Sequence, residues 1–221
     1  MADFFSYISG NWQFVFRLSL LHLGIVFVSG GIAIAIALPA GIFVTRPGWR
    51  IHSGTILSTA NVFQTIPSLA VIGLASALLA IIELGIGWAP AILALVLYSI
   101  LPVLSNTIVG LEGVDPAVIR AARGMGMAPH QILFHIELPL AIPTIFAGIR
   151  TAIVINVGTA ALAATIGAEC LGTLIFQGIS TGNLPLLLAG AIPTALLAIL
   201  IDGFFALLEH QLSAPGIRGQ Q

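Results

Sequence analysis

The chain has 221 residues, 58% hydrophobic and only 7% charged, with a formal net charge of -1 and a mean hydropathy of +1.12. Soluble domains carry about 25% charged residues. This chain has too little polar surface for a water-soluble globule and is expected to be an integral membrane protein, and its charge leaves no basic footprint for nucleic acid. All seven cations are arginine and there is no lysine. The single cysteine, Cys170, excludes an intrachain disulfide and a cysteine metal cluster, and is expected to be a small packed residue.

The acidic start, Met1-Ala-Asp-Phe-Phe, lacks the basic segment of a cleavable signal peptide. Residues 1–16 are dense in aromatics and read as a short interfacial helix or an extended lead-in. A first span is expected over about 18–44. His22, near its start, reads as a satisfied interfacial histidine, and Gly30-Gly31 permit close helix approach. Arg46, Trp49 and Arg50 end the span at a water interface.

A second span, about 53–82, carries Asn61, Gln64, Thr65, Pro67 and Ser68 at its front. Proline removes a backbone donor and kinks a helix. The freed groups need partners or water. Two readings stand: a broken helix lining a polar translocation path, or a kink at the interface. The third span, about 91–112, contains Pro102 and Asn106, the latter expected to bond a neighbouring helix. The fourth, about 141–168, contains Asn156, a further path candidate, and a small-residue face of Ala160, Ala164 and Ala168. Arg150 lies near its start, where it can snorkel to water. Residues 169–183 read as a loop with a short helix, and the fifth span covers about 184–209. Asp202 is an intramembrane charge. It is either an ion or proton relay or an acid bonded to helix partners at an assembly interface. The second is preferred because no other acid or lysine lies between Leu184 and Leu208.

Between spans three and four lies the longest polar-sprinkled stretch, Arg120-Ala-Ala-Arg-Gly-Met-Gly-Met-Ala-Pro-His-Gln-Ile-Leu-Phe-His-Ile-Glu-Leu-Pro139. Asp115-Pro116 suits a helix start. Ile119, Ala122, Arg123 and Gly126 follow at helical spacing, and Gly124 and Gly126 loosen the helix. Pro129 can begin a second helix with Ile132, Leu133, Ile136 and Leu140 on one stripe, closed by Leu138-Pro139. The expectation is a short helix, a bend and a second short helix leading into the membrane. His130 and His135 are five apart, off any metal-ligand spacing, so no metal site is expected.

This stretch resembles permease subunits of binding-protein-dependent ABC importers. They carry Glu-Ala-Ala, three residues, Gly, nine residues, then Ile-x-Leu-Pro. Ala121 and Ala122 fill the alanine positions, Gly126 the glycine, Ile136 the isoleucine and Leu138-Pro139 the ending. Arg120 stands where the family usually has glutamate. The Gln64-Thr-Ile-Pro-Ser68 and Gly148-Ile-Arg-Thr-Ala152 segments resemble the osmoprotectant subgroup, for glycine betaine, choline and carnitine. The resemblance implies a single all-α transmembrane permease domain over residues 1–221. Its five membrane helices and cytoplasmic coupling loop, 113–140, make the type I importer permease (MetI-like) fold.

Within that loop it implies ATPase-coupling roles for Arg120, Ala121, Ala122, Arg123, Gly126, Met127, Ile136, Leu138 and Pro139. It also implies ABC ATPase subunits that bind ATP and Mg, a second permease subunit, and a separate extracytoplasmic substrate-binding protein. This chain itself has no phosphate-binding Gly-x-x-x-x-Gly-Lys loop and is expected to be a transport subunit rather than an enzyme. Arg46, Arg50, Arg120, Arg123 and Arg218 fall on one side of five spans and Arg17 on the other. The positive-inside rule therefore places the central loop and C-terminus in the cytoplasm and the N-terminus outside, in the inner membrane. Other readings are a permease for an amino acid or another betaine-like compound, and a self-sufficient channel or ion-coupled carrier using Asp202 and Glu112.

Overall fold

Residues 2–46, 48 and 53–212 are described by a computed structural model, and the described residues contain no strand. Trp49, Arg50, Arg218 and the side chain of Asn61 lie outside them. The chain opens with α1, Ala2–Val44, kinked at Asn11 where φ is -125°. The aromatic lead-in is therefore a short helix of its own, as expected, joined through the non-helical Asn11 to the long span that follows. Phe4, Tyr7 and Ile8 on this short helix pack against Leu171, Leu174 and Leu186.

The expected second span is two helices, α2 (Ser53–Gln64) and α3 (Ser68–Ala80), set at 94° to each other. Pro67 opens α3 with ψ 130°. A residue before proline is pushed out of the helical region, so the chain must leave the helix at Ile66. Tyr98 donates its hydroxyl hydrogen to the freed Ile66 carbonyl. The helix α4, Trp88–Glu112, follows. It is the central helix, touching α1, α2, α3 and α7. The short α5 (Pro116–Gly124) and α6 (Pro129–Ile132) come next. A π turn over Leu133–Glu137 leads directly into α7, Leu138–Thr159. A 3-10 segment, Ala160–Ile166, ends that span, and Ala160, Ala163 and Ala168 are buried. A hairpin of α8 (Leu171–Thr181) and α9 (Leu184–Leu212) completes the fold. Among the described residues four helical stretches are long and apolar enough to cross a membrane, and there are five if the bent α2–α3 pair is one span.

Lipid tails are as apolar as leucine, so helices in a membrane gain by close contact rather than by burying apolar surface. Glycines supply that contact at specific crossings. A Cβ on Gly30 would meet Ile153 Cδ1 at 2.2 Å, whereas one on Gly31 would meet nothing within 4 Å, so only the first of the pair is an interface residue. At Gly148 a Cβ would meet the Pro102 carbonyl oxygen at 2.8 Å, and at Gly172 the Ala161 carbonyl oxygen at 1.9 Å. Backbone atoms cannot step aside as side chains do. Gly172→Ala is therefore expected to lower thermal stability in detergent, with overpacking costing about 1–3 kcal/mol. Gly31→Ala should leave stability unchanged. Melting of the two purified variants checks this, and equal behaviour would refute the assigned crossing.

Candidate functional site

The loop between α4 and α7 is built as its residues dictate. Asp115 caps α5, its Oδ1 accepting the Ala117 N–H at 2.7 Å, with Pro116 in the first turn. The helix ends at Gly124, and the glycine that matters is Gly126, at φ +83°. Its N–H donates to the Arg123 carbonyl at 3.0 Å, and the Met127 N–H to the Ala122 carbonyl at 3.2 Å. This pair of bonds is the Schellman close of a helix, which needs a left-handed residue between them. A Cβ at Gly126 would touch nothing in the chain. Its first requirement is therefore a backbone angle, not a close approach.

The Gln131 side chain accepts the Ala128 N–H at 2.8 Å, which starts α6 as Pro129 predicts. Leu138-Pro139 was expected to close the second short helix. Instead the helix runs on without a break from Pro129 to Ile166. The reason is the π turn. The Leu138 N–H donates to the carbonyl of Leu133, five residues back. Widening by one residue just before Pro139 accommodates the ring and its missing donor.

Ala122 is fully buried, while Arg120, Ala121, Arg123 and Gly126 are exposed and Met127, Ile136 and Leu138 are half-buried. Val118, Met125 and Phe134 are exposed, Met125 by 74% and Phe134 by 63%. Below the loop lies a cleft of about 710 Å³ reached by Arg46, Arg120, Arg123, His130 and Glu137. Arg46 and Glu137 form an ion pair there at 2.7 Å.

The path candidates divide. Gln64, Thr65 and Pro67 are exposed at the α2–α3 break and Ser68 is half-buried. The Thr65 hydroxyl donates to the Val62 carbonyl at 2.7 Å. Asn156 is fully buried between α1 and α7, its Nδ2 donating to Ser29 Oγ at 3.0 Å. Asn106 does not bond a neighbouring helix. Its Nδ2 donates to the Pro102 carbonyl of its own helix at 2.9 Å, because Gly148 packs directly against its Cβ and leaves the amide only that direction. His22 is fully buried, with Nε2 2.8 Å from the Val157 carbonyl. Cys170 is buried, its Sγ 3.4 Å from the Ala160 carbonyl, and burial pushes the thiol pKa up.

Asp202 has a partner that was not anticipated. Arg150, expected to snorkel to water, pairs through Nε and Nη2 with its two carboxylate oxygens at 2.7 and 2.8 Å. Arg150 Nη1 reaches Glu209 at 3.2 Å. Because α9 continues to Leu212, Glu209 is a second acid on the same helix. A signal for the pair was present: single opposite charges in two different spans have every reason to find each other. Arg17 with Glu169 at 2.6 Å is a further ion pair, on α1 well before Arg46.

Residues 33–214 match the family described as binding-protein-dependent transport system inner membrane component. The chain belongs to this permease family. Among its relatives, the osmoprotectant import permease OsmW of Salmonella typhimurium is 41% identical over 98% of this chain and all of its own length. The choline transport system permease OpuBB of Bacillus subtilis is 38% identical over 89% of this chain and 88% of its own. In structure, the chain resembles one from the inward-facing MetNI methionine ABC transporter. That likeness has a TM-score of 0.82 at 25% identity, covering 93% of this chain and 99% of the other. This permease is a multi-pass inner-membrane transport subunit, as its family and apolar helices require.

If Gly126 is fixed by its angle, Gly126→Val should destabilise the α5–α6 turn by about 1–2 kcal/mol, the cost of a left-handed residue with a Cβ. Gly126→Asn should cost a fraction of that, since asparagine visits this region. Hydrogen exchange at the Gly126 and Met127 amides distinguishes them, and equal protection in both variants would show that the angle is not what matters.

Proposed function

We propose that this permease is one half of the membrane pathway of an ATP-driven importer, translocating a small quaternary-ammonium osmoprotectant such as glycine betaine, choline or carnitine by alternating access. The observation that carries the reading is the α5–α6 unit: a capped helix and turn at one end of the bundle, with Val118, Met125 and Phe134 exposed. Apolar side chains left in water at a bundle end mark a protein contact. An ATPase subunit that binds ATP and Mg docks there, around Arg120, Ala121, Arg123, Gly126 and Met127. Its closure moves the loop. Ile136, Leu138 and Pro139 pass the motion on, because α6, the π turn and α7 form one helical stretch.

In this reading a second permease subunit supplies the other half of the pathway, and a separate extracytoplasmic binding protein delivers substrate. The loop and C-terminus face the cytoplasm and the N-terminus the outside. The names of the permeases from Salmonella typhimurium and Bacillus subtilis support the substrate class. The exposed break at Gln64, Thr65, Pro67 and Ser68 is the part of the polar path that this chain offers. Asn61 belongs with it by its place in the sequence. Asn106 and Asn156 support the path from within the helix packing.

Transport of labelled glycine betaine, choline and carnitine into liposomes, with the cognate ATPase and binding protein, tests the class. Met125→Glu and Phe134→Glu are each expected to reduce ATPase co-purification at least tenfold while membrane insertion is retained. Arg120→Glu should change it little, since exposed ion pairs are worth about 0–1 kcal/mol. Full ATPase binding in both glutamate variants would remove the docking role.

Orientation has its own test in a Cys170→Ser background. A cysteine at Met127 should resist an impermeant thiol reagent added to intact cells, and one at Ile86 should react. The reverse pattern would invert the topology.

A further inference from the structure

Arg150 holds two carboxylates that stand on one face of α9, seven residues and so two turns apart. The contacts are unequal: two short ones to Asp202, at 2.7 and 2.8 Å, and one longer one to Glu209, at 3.2 Å. The cluster is not sealed. Arg150, Asp202 and Glu209 keep 32%, 42% and 27% of their side-chain surface open. They border a cleft of about 350 Å³ with Ala147, Thr151, Val154 and Ile155. This open space beside Arg150 leaves the guanidinium room to swing. Among the described residues no other ion pair joins α7 to α9.

The rod that carries Arg150 begins at Pro129, next to the α5–α6 turn, so movement of that turn is movement of Arg150 along α9. An arginine with one acid would lose its partner when α7 moved, leaving a charge alone inside a span. An arginine already touching a second acid never has to be alone.

We propose that Arg150 is a positioning residue for transport, handed from Asp202 to Glu209 when the permease changes state. The arrangement described here is the Asp202-held one. The other is reached by a small slide of α7 along α9, of the kind by which packed helices shift between two discrete arrangements. Glu209 gains the paired contacts and Asp202 keeps one. The handover rests on the importer reading above, since it needs a loop that is driven.

The test uses the complete transporter in liposomes, in a Cys170→Ser background, with spin labels at Ala128, which caps the rod, and Leu207, on α9. Distances are measured without nucleotide and with a trapped ATP analogue. Two populations are expected, exchanging between the conditions. Asp202→Asn should favour the Glu209-held population at least threefold, and Glu209→Gln should favour the other by a similar factor. A rigid strut predicts otherwise: both neutralisations would broaden the distances in the same direction, or neither would move them. Either result overturns the proposal.

Should a single variant assemble poorly, the swapped pair Arg150→Asp with Asp202→Arg decides. The swap leaves an aspartate on α7 near Glu209, with no basic partner for the second position. Two exchanging populations in that variant would also refute the handover, and one fixed distance there beside two populations in the unaltered permease would support it. Failure of the ATPase to co-purify with the unaltered permease would instead reject the importer reading, so the two failures are told apart.

Discussion

Close approach of α7 to α4 is the constraint on which the rest of the structure depends. It is made by absence of side chains. Gly110 lies against Ala141 and Thr144, and Gly148 against Asn106 and the Pro102 carbonyl. The same central helix receives α1 through Gly41, which faces Thr107, and through Trp88, which lies over Gly24. With no hydrophobic drive between helices in lipid, such contacts set the positions of the helix axes. Fixing α7 fixes where its N-terminal extension emerges, and so where the α5–α6 turn sits. It also fixes the height at which Arg150 meets α9.

A second consequence concerns stiffness. A loop joined to a span by flexible chain would dissipate any push given to it. Here Pro129 to Ile166 is one helical stretch, and the place where proline should have broken it is bridged by a π turn. A π turn lets a proline sit in line without losing the rod. The local oddity at Leu133–Glu137 and the rigidity of the connection are therefore one feature seen twice. Glu137, in that turn, also pairs with Arg46 at the end of α1. The root of the rod is anchored to the end of a neighbouring helix.

Much of this was legible beforehand, and the residues say why. Spans are a matter of apolar run length, and the Asp115-Pro116 cap and the Pro129 start are local chemistry, so all three could be read without tertiary knowledge. Pro67 announced a break for the same reason. What could not be read was anything needing a second helix. Asn106 was assigned to a neighbour, yet turns back on its own helix because Gly148 occupies the space beside it. The partner of His22, the Val157 carbonyl, lies on another helix 135 residues away in the chain. The kinked aromatic start could be read as a short helix, but its partners, on α8 and α9, lie more than 150 residues away in the chain. Arg150 and Asp202 lie in different spans, and only the packing of α7 on α9 brings them and Glu209 together.

The ion pairs also give a depth scale that no single helix supplies. Arg17–Glu169, well inside α1, and Arg46–Glu137, just beyond its C-terminal end, are separated by 29 residues, or about 44 Å at a rise of about 1.5 Å per residue. On that scale Arg150, 13 residues beyond Glu137, lies about 20 Å from the Arg46 end. Asp202, 18 residues into α9, lies about 27 Å from its start at the opposite end, which leaves about 17 Å to the Arg46 end. The two estimates, made along different helices, bring the pair to the same level near mid-span. There a lone charge costs about 2.5–3.5 kcal/mol on insertion scales. Glu209 lies about 10 Å nearer the loop end. Side chains on a helix lean toward its N-terminus, and the N-terminus of α7 is the loop end, so Arg150 leans toward Glu209 by default. Its hold on Asp202 is thus the choice of packing rather than of reach, and the same lean makes Glu209 the natural second partner.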